Sequence, residues 1–210
     1  MLNALKAWWR GLRHIEHLGY LYVWANVFAV VVSLFVVTAP AAWAGLNKMS
    51  YRAYRSRLVT VNDFWEGLRE NLGRGLVLFV LNVVIIGVNV TNLLSYGDQG
   101  GIAFLLLRAL WILALLLWFT LQLYLWPIFY AMEDPTLWGA FRNAGIMLLQ
   151  NPGFTVGVWL GLLPVLIFST ILAPLWLLLT LSIIASIANS AVLDRLRAAG
   201  FTPQTEDEFA

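Results

Sequence analysis

The chain has 210 residues, of which 61% are hydrophobic and only 11% charged, and its mean hydropathy is +0.79. Soluble domains carry about 25% charged residues, so this composition excludes an ordinary soluble domain and points to a polytopic membrane protein. With no cysteine and a net charge of +2, disulfides, thiolate nucleophiles and cysteine metal sites are excluded as well. The eleven tryptophans fit the same class, because indole rings favour the headgroup interface.

Residues 1–17 set Lys6, Arg10 and Arg13 beside Trp8 and Trp9, the pattern of a short helix at a membrane surface. His14 and His17 share that face and read as its edge rather than as a ligand pair. The first span is expected over 18–40. Ala42-Trp43-Ala44 resembles a signal cleavage site, but the preceding apolar run exceeds the 7–15 residues of a secretory core, so an uncleaved helix is expected. Behind it, Lys48, Arg52 and Arg55 form one helical stripe with Tyr51 and Tyr54 interleaved. Beside a span, that stripe points to lipid headgroups and not to nucleic acid.

In residues 61–74, Trp65 and Arg69 share a helical face. The second span is expected over 75–94. It contains Asn82 and Asn89, seven apart and so on one side, which reads either as helix-packing glue or, with Asn26 and Gln122, as an uncharged polar lining. The third span, 102–130, is longer than the roughly 30 Å hydrocarbon core requires. Arg108 is expected to snorkel to one interface and Pro127 to kink or end the helix near the other. An amphipathic connector over 131–152 follows. Its Trp138 and Arg142 echo Trp65 and Arg69 as a faint internal repeat, and both pairs are candidate contacts for a partner.

Gly153 to Leu193 contains no charged residue over 41 positions, enough for two spans, 154–172 and 174–193, with a corner at Leu172-Ala173-Pro174. Gly153, Gly157 and Gly161 form one row and Ser182, Ser186 and Ser190 another. If the two helices pair, the rows form a seam of close backbone approach and hydroxyl bonds. Residues 198–210 are a polar, acidic tail, expected to be disordered.

The fold expected is therefore all-α: one membrane-embedded bundle over 1–197, with about five transmembrane helices plus amphipathic interfacial helices. Five spans with a cytoplasmic C-terminus in an inner (plasma) membrane place nine of the thirteen basic residues inside. That arrangement leaves Lys6, Arg10 and Arg13 outside, unless 18–40 is re-entrant. No carboxylate falls mid-span, as coupled transporters usually require. No phosphate-binding loop, metalloprotease or nucleophile-elbow motif occurs. The expectation is a non-enzymatic protein without cofactor or metal.

Three stretches resemble the YesL-like family of bacterial integral membrane proteins: "SLFVVTAPAAWAGL" (33–46) with Thr38, Pro40 and Ala41, "NDFWEGLRENLGRGL" (62–76), and "LYLWPIFYAMEDPTLWGAFRNAGIMLLQNPGFTVGVW" (123–159). The resemblance implies five or six spans and an association with carbohydrate uptake, including binding-protein-dependent sugar import. It implies no catalytic residue. Two functions follow as expectations. One is an accessory protein contacting the subunits of a sugar ABC transporter. The other is a small transporter or capturing subunit for an uncharged solute.

Overall fold

The computed structural model describes residues 2–55 and 58–201; the tail expected to be disordered lies, from 202 onward, outside the described residues. The elements are α1 (Leu2–Ser33), a 3-10 turn (Val36–Thr38), α2 (Ala39–Ala53), α3 (Asn62–Glu70), α4 (Leu72–Ser95), α5 (Ile102–Ala131), α6 (Leu137–Gln150), α7 (Pro152–Ile171), a π-helical turn (Trp176–Thr180) and α8 (Leu181–Ala198). Among the described residues there is no strand. Among the described residues five helices, with α8 taken together with its π turn, are long and apolar enough to cross a membrane.

The surface helix expected over 1–17 is continuous with the first apolar run. The only break is at Leu18, whose φ of −120° and ψ of 22° bend α1 where the charged half meets the apolar half. Pro40 and Pro152 occupy first turns, where the missing N–H has no helical partner anyway, whereas Pro127 and Pro164 lie inside α5 and α7. Pro127 neither ends α5 nor breaks it, and the helix runs on to Ala131. At the other end of α5, Arg108 donates to the carbonyls of Gly97 (2.7 Å) and Gln99. The expected snorkelling arginine thus closes the α4–α5 turn by satisfying its free carbonyls.

The direction of the first helix differs from a simple five-span path. The charged half of α1 runs antiparallel to the last turns of α8, with Arg10 paired to Asp194. Both ends of the described chain therefore lie at one end of the bundle, whereas five straight spans place them at opposite ends. The turn after α1 explains this. Thr38 donates its hydroxyl to Val32 O (2.6 Å) and Phe35 O, reversing the chain abreast of Phe79 to Gly87, the middle of α4. From there α2 runs back, and Tyr130 at the end of α5 donates to Ala44 O (3.1 Å). So α1 and α2 form a hairpin that enters and leaves the bundle from the same end.

The seam expected between α7 and α8 does not form; the serine row and Gly161 meet α1 instead. Ser182 donates to Tyr22 O, Ser186 to Gly11 O and Ser190 to Ala7 O, all within 2.7–2.8 Å. Gly161 lies under the ring of Trp8, where an added Cβ would stand 2.6 Å from Cδ1. Gly157 is buried in the same helix face, but Gly153 has nothing within 4 Å of its Cβ position. The physical reason is size. Ala4, Ala7 and Gly11 on α1 let backbone approach backbone over the serine row, while α7 meets α8 near the corner, where Ser169 and Thr180 share a hydroxyl bond of 2.6 Å.

Candidate functional site

The end of the bundle that holds both ends of the described chain also collects α3, α6, the end of α2, and every described Lys and Arg except Arg108. Two short helices there are each joined to a long one through a single asparagine. Asn71 sits between α3 and α4 with φ −110°, and Asn151 between α6 and α7 with φ −131°. Each side-chain amide donates back to a carbonyl four residues earlier, Asn71 to Gly67 O and Asn151 to Met147 O. Each Oδ1 accepts from an arginine, Arg74 and Arg195 respectively. Each of these arginines also lies over a phenylalanine ring, Phe129 and Phe154, at 5.0 and 4.2 Å.

The same joint is thus built twice: amphipathic helix, asparagine elbow, long apolar helix, arginine clamp. The repeat seen in the sequence through Trp65/Arg69 and Trp138/Arg142 has this as its physical content. The better sequence signal is Asn-x-Gly, at Asn71-Leu72-Gly73 and at Asn151-Pro152-Gly153. Asn71→Ala would lose the Gly67 bond and the bond to Tyr130 Oη (2.9 Å). We expect the melting temperature in detergent to fall by roughly 5 °C, on about 1–2 kcal/mol of lost hydrogen bonding. An unchanged melting curve would show that the elbow does not hold α3.

The candidate partner contacts divide. Trp138 and Arg142 are exposed, with Trp138 78% accessible, and Ile146 and Leu149 continue their stripe along α6. The opposite face of α6, with Ala140, Ala144 and Met147, is buried, and Phe141 stacks on Trp118 of α5 at 5.7 Å. Arg69 is exposed, but Trp65 packs on Phe28 and Phe64 and is half-buried. The α6 face is therefore the more available of the two.

The stripe expected to meet lipid headgroups is engaged within the chain. Lys48 Nζ pairs with Glu70 at 2.6 Å and Glu66 at 3.3 Å, and Arg52 pairs with the buried Asp63. Arg55 lies against Tyr51, donating to its hydroxyl at 3.0 Å. The α2–α3 hairpin brings acidic and basic residues together, because Asp63 also accepts the Thr60 N–H (2.8 Å) that opens α3. Sequence reading missed this because Lys48 and Glu66 to Glu70 are separated by a reversal of the chain. Alongside, Tyr54 shares a 2.9 Å hydroxyl contact with Ser186, and burial pushes its phenol above the ordinary value, so it remains a neutral tie between α2 and α8.

The four amides read as a lining are not gathered in one cavity. Asn26 is buried, and it is used at both ends. Its Nδ2 donates to Trp176 O and Leu177 O at 2.9 and 2.7 Å, and its Oδ1 accepts the Ser182 N–H at 2.9 Å. It serves the backbone groups of the π turn. Asn89 folds back on Ile85 O (2.7 Å) along its own helix. Only Asn82 and Gln122 meet, with Gln122 Nε2 donating to Asn82 Oδ1 at 2.7 Å and Trp118 Nε1 donating to the same oxygen at 2.8 Å.

Among the described residues, no group of three or more His, Cys, Asp or Glu side chains could hold a metal ion. Comparison with protein families, with curated proteins and with solved structures finds no match.

Proposed function

We propose that this chain is a non-catalytic, multi-pass protein of a plasma membrane, whose basic end faces the cytoplasm and engages another membrane protein through α6. The observation that carries the reading is the exposed Trp138, Arg142, Ile146 and Leu149 stripe on a helix whose other face is locked into the bundle. Tryptophan and arginine are the residue types that most often anchor protein contacts, and the asparagine elbows hold such a face at a fixed angle to the spans.

The orientation draws support from charge. With α1 and α2 as a re-entrant hairpin, both ends of the described chain are cytoplasmic and the described basic residues other than Arg108 share that side, in keeping with the positive-inside tendency. This removes the three stranded cations of the five-span path. The first partner to test is a carbohydrate import system of the ABC type, which the sequence resemblance to the YesL-like family implies. The test is co-purification of tagged protein from native membranes in mild detergent, with quantitative mass spectrometry. Stoichiometric transporter subunits, lost in Trp138→Ala/Arg142→Ala while the melting temperature holds, are the expected result. Recovery of the tagged chain without a stoichiometric partner would overturn the docking role.

A further inference from the structure

A second feature stands apart from the basic end. The turn at Val36 to Pro40, with Trp43, leans against α4 and α5 to leave a lateral groove of about 470 Å³, walled by Phe79, Val83, Ile86, Gly87 and Phe119 and with Asn82 and Gln122 among its lining. Around it the surface is apolar: Leu34 and Phe35 are each 75% exposed, and Val83 and Phe119 about half so. The groove thus opens towards lipid tails.

The orientation of its two amides is fixed by chemistry. An indole N–H can only donate, so Trp118 Nε1 at 2.8 Å requires Asn82 to turn its Oδ1 that way. Gln122 gives its Nε2 to the same oxygen at 2.7 Å. Asn82 Nδ2 and Gln122 Oε1 are then directed elsewhere, and neither makes a further hydrogen bond among the described residues. Asn89 and Asn92, on the same helix, both return their amide N–H to the carbonyl four residues back; Asn82 does not. Where water is absent, an open donor and an open acceptor on residues lining the same groove are unfavourable until a ligand pairs them.

We infer that this groove binds a membrane-dissolved neutral lipid bearing a hydroxyl group, such as a long-chain alcohol or a diacylglycerol. The hydroxyl oxygen accepts from Asn82 Nδ2, and its hydrogen is donated to Gln122 Oε1. The hydrocarbon chain lies along Val83, Ile86 and Phe119. No Lys or Arg lines the groove, so it offers no counter-charge to a phosphate, and a phospholipid headgroup is disfavoured. The site does not depend on any cytoplasmic partner.

The test uses the whole protein in phosphatidylcholine nanodiscs with a diazirine-bearing hexadecanol, and with the matching diazirine alkane as comparison. Crosslinks of the alcohol are expected to concentrate in residues 36–43, 79–87 and 119–122 and to be displaced by unlabelled hexadecanol or dioleoylglycerol. Asn82→Leu/Gln122→Leu is expected to lower that labelling about tenfold, as loss of two such bonds predicts. Gly87→Leu provides a second variant. A Cβ there meets nothing within 4 Å, so the leucine fills the groove without disturbing the helix, and labelling should fall with the melting temperature unchanged. Equal labelling by alkane and alcohol, labelling spread over all lipid-facing helices, or no loss in Gly87→Leu would each overturn the proposal. Loss in Gly87→Leu but not in the folded double variant would also overturn it, since the hydroxyl would then not be read. If the double variant does not fold, Gly87→Leu and the alkane comparison decide.

Discussion

Asn26→Leu is expected to be the most damaging of the amide substitutions, lowering the melting temperature in detergent by roughly 10 °C. Three backbone groups depend on this one side chain: the carbonyls of Trp176 and Leu177 and the N–H of Ser182. A π turn widens the helix and takes its carbonyls out of the regular i to i−4 ladder. In a buried setting each group left unpaired costs about 1–3 kcal/mol, and leucine, similar in size, restores none of the bonds. Single polar contacts in membrane proteins average only about 0.6 kcal/mol, so the prediction rests on three bonds failing together. Asn92→Leu is the control, because that amide bonds only within its own helix, to Val88 O, and its loss should be nearly neutral. A shift for Asn26→Leu no larger than for Asn92→Leu would show that the π turn does not need the amide.

Gly11→Leu carries the second large effect. A Cβ at Gly11 would stand 2.8 Å from the Cα of Ile187, a backbone atom that can move only if α1 and α8 separate. Separation stretches the hydroxyl bonds of Ser182, Ser186 and Ser190 and the Arg10–Asp194 pair. Overpacking of this kind costs about 1–3 kcal/mol and occasionally more, with the loss of the serine bonds added. Gly161→Leu meets the Trp8 side chain instead, which can turn aside, so its effect is smaller. Gly153→Leu meets nothing and should leave thermal stability in detergent unchanged. That order, Gly11 over Gly161 over Gly153, separates the observed α1–α8 seam from a seam between α7 and α8, for which Gly11 has no role. Equal effects at Gly153 and Gly161 would contradict it.

The apolar runs were legible because hydrocarbon demands length and hydrophobicity from each helix separately. Residues 102–130 and 154–172 coincide closely with α5 and α7, and the corner at Leu172-Ala173-Pro174 is where α7 ends. Pairing was not legible in the same way. A row such as Ser182, Ser186 and Ser190 announces that some backbone comes close, but lipid gives no further signal of which one. Here the answer lay on α1, far away in sequence. Hydropathy does not mark the reversal at Val36 to Thr38, because its residues are as apolar as the run before it; only the charge count raised a re-entrant 18–40. Of the residues read as candidate partner contacts, Arg69, Trp138 and Arg142 are exposed and Trp65 is half-buried, a difference that helical spacing alone does not show. Lys48 and Arg52 were assigned to lipid because the acidic partners Asp63, Glu66 and Glu70 come from a separate helix. Asn71 and Asn151 are not legible as elbows, since an isolated asparagine reads simply as a turn residue.

The hairpin of α1 and α2 decides the topology, and the absence of cysteine from the chain makes it directly measurable. Single cysteines at Asn3, Asp98 and Ala199, all exposed positions, would be labelled with a membrane-impermeant maleimide in right-side-out and in inverted vesicles. The hairpin arrangement predicts that Asn3→Cys and Ala199→Cys react only in inverted vesicles and Asp98→Cys only in right-side-out ones. Reaction of Asn3→Cys and Ala199→Cys in opposite vesicle types would mean that α1 crosses the membrane without returning, and would contradict the account.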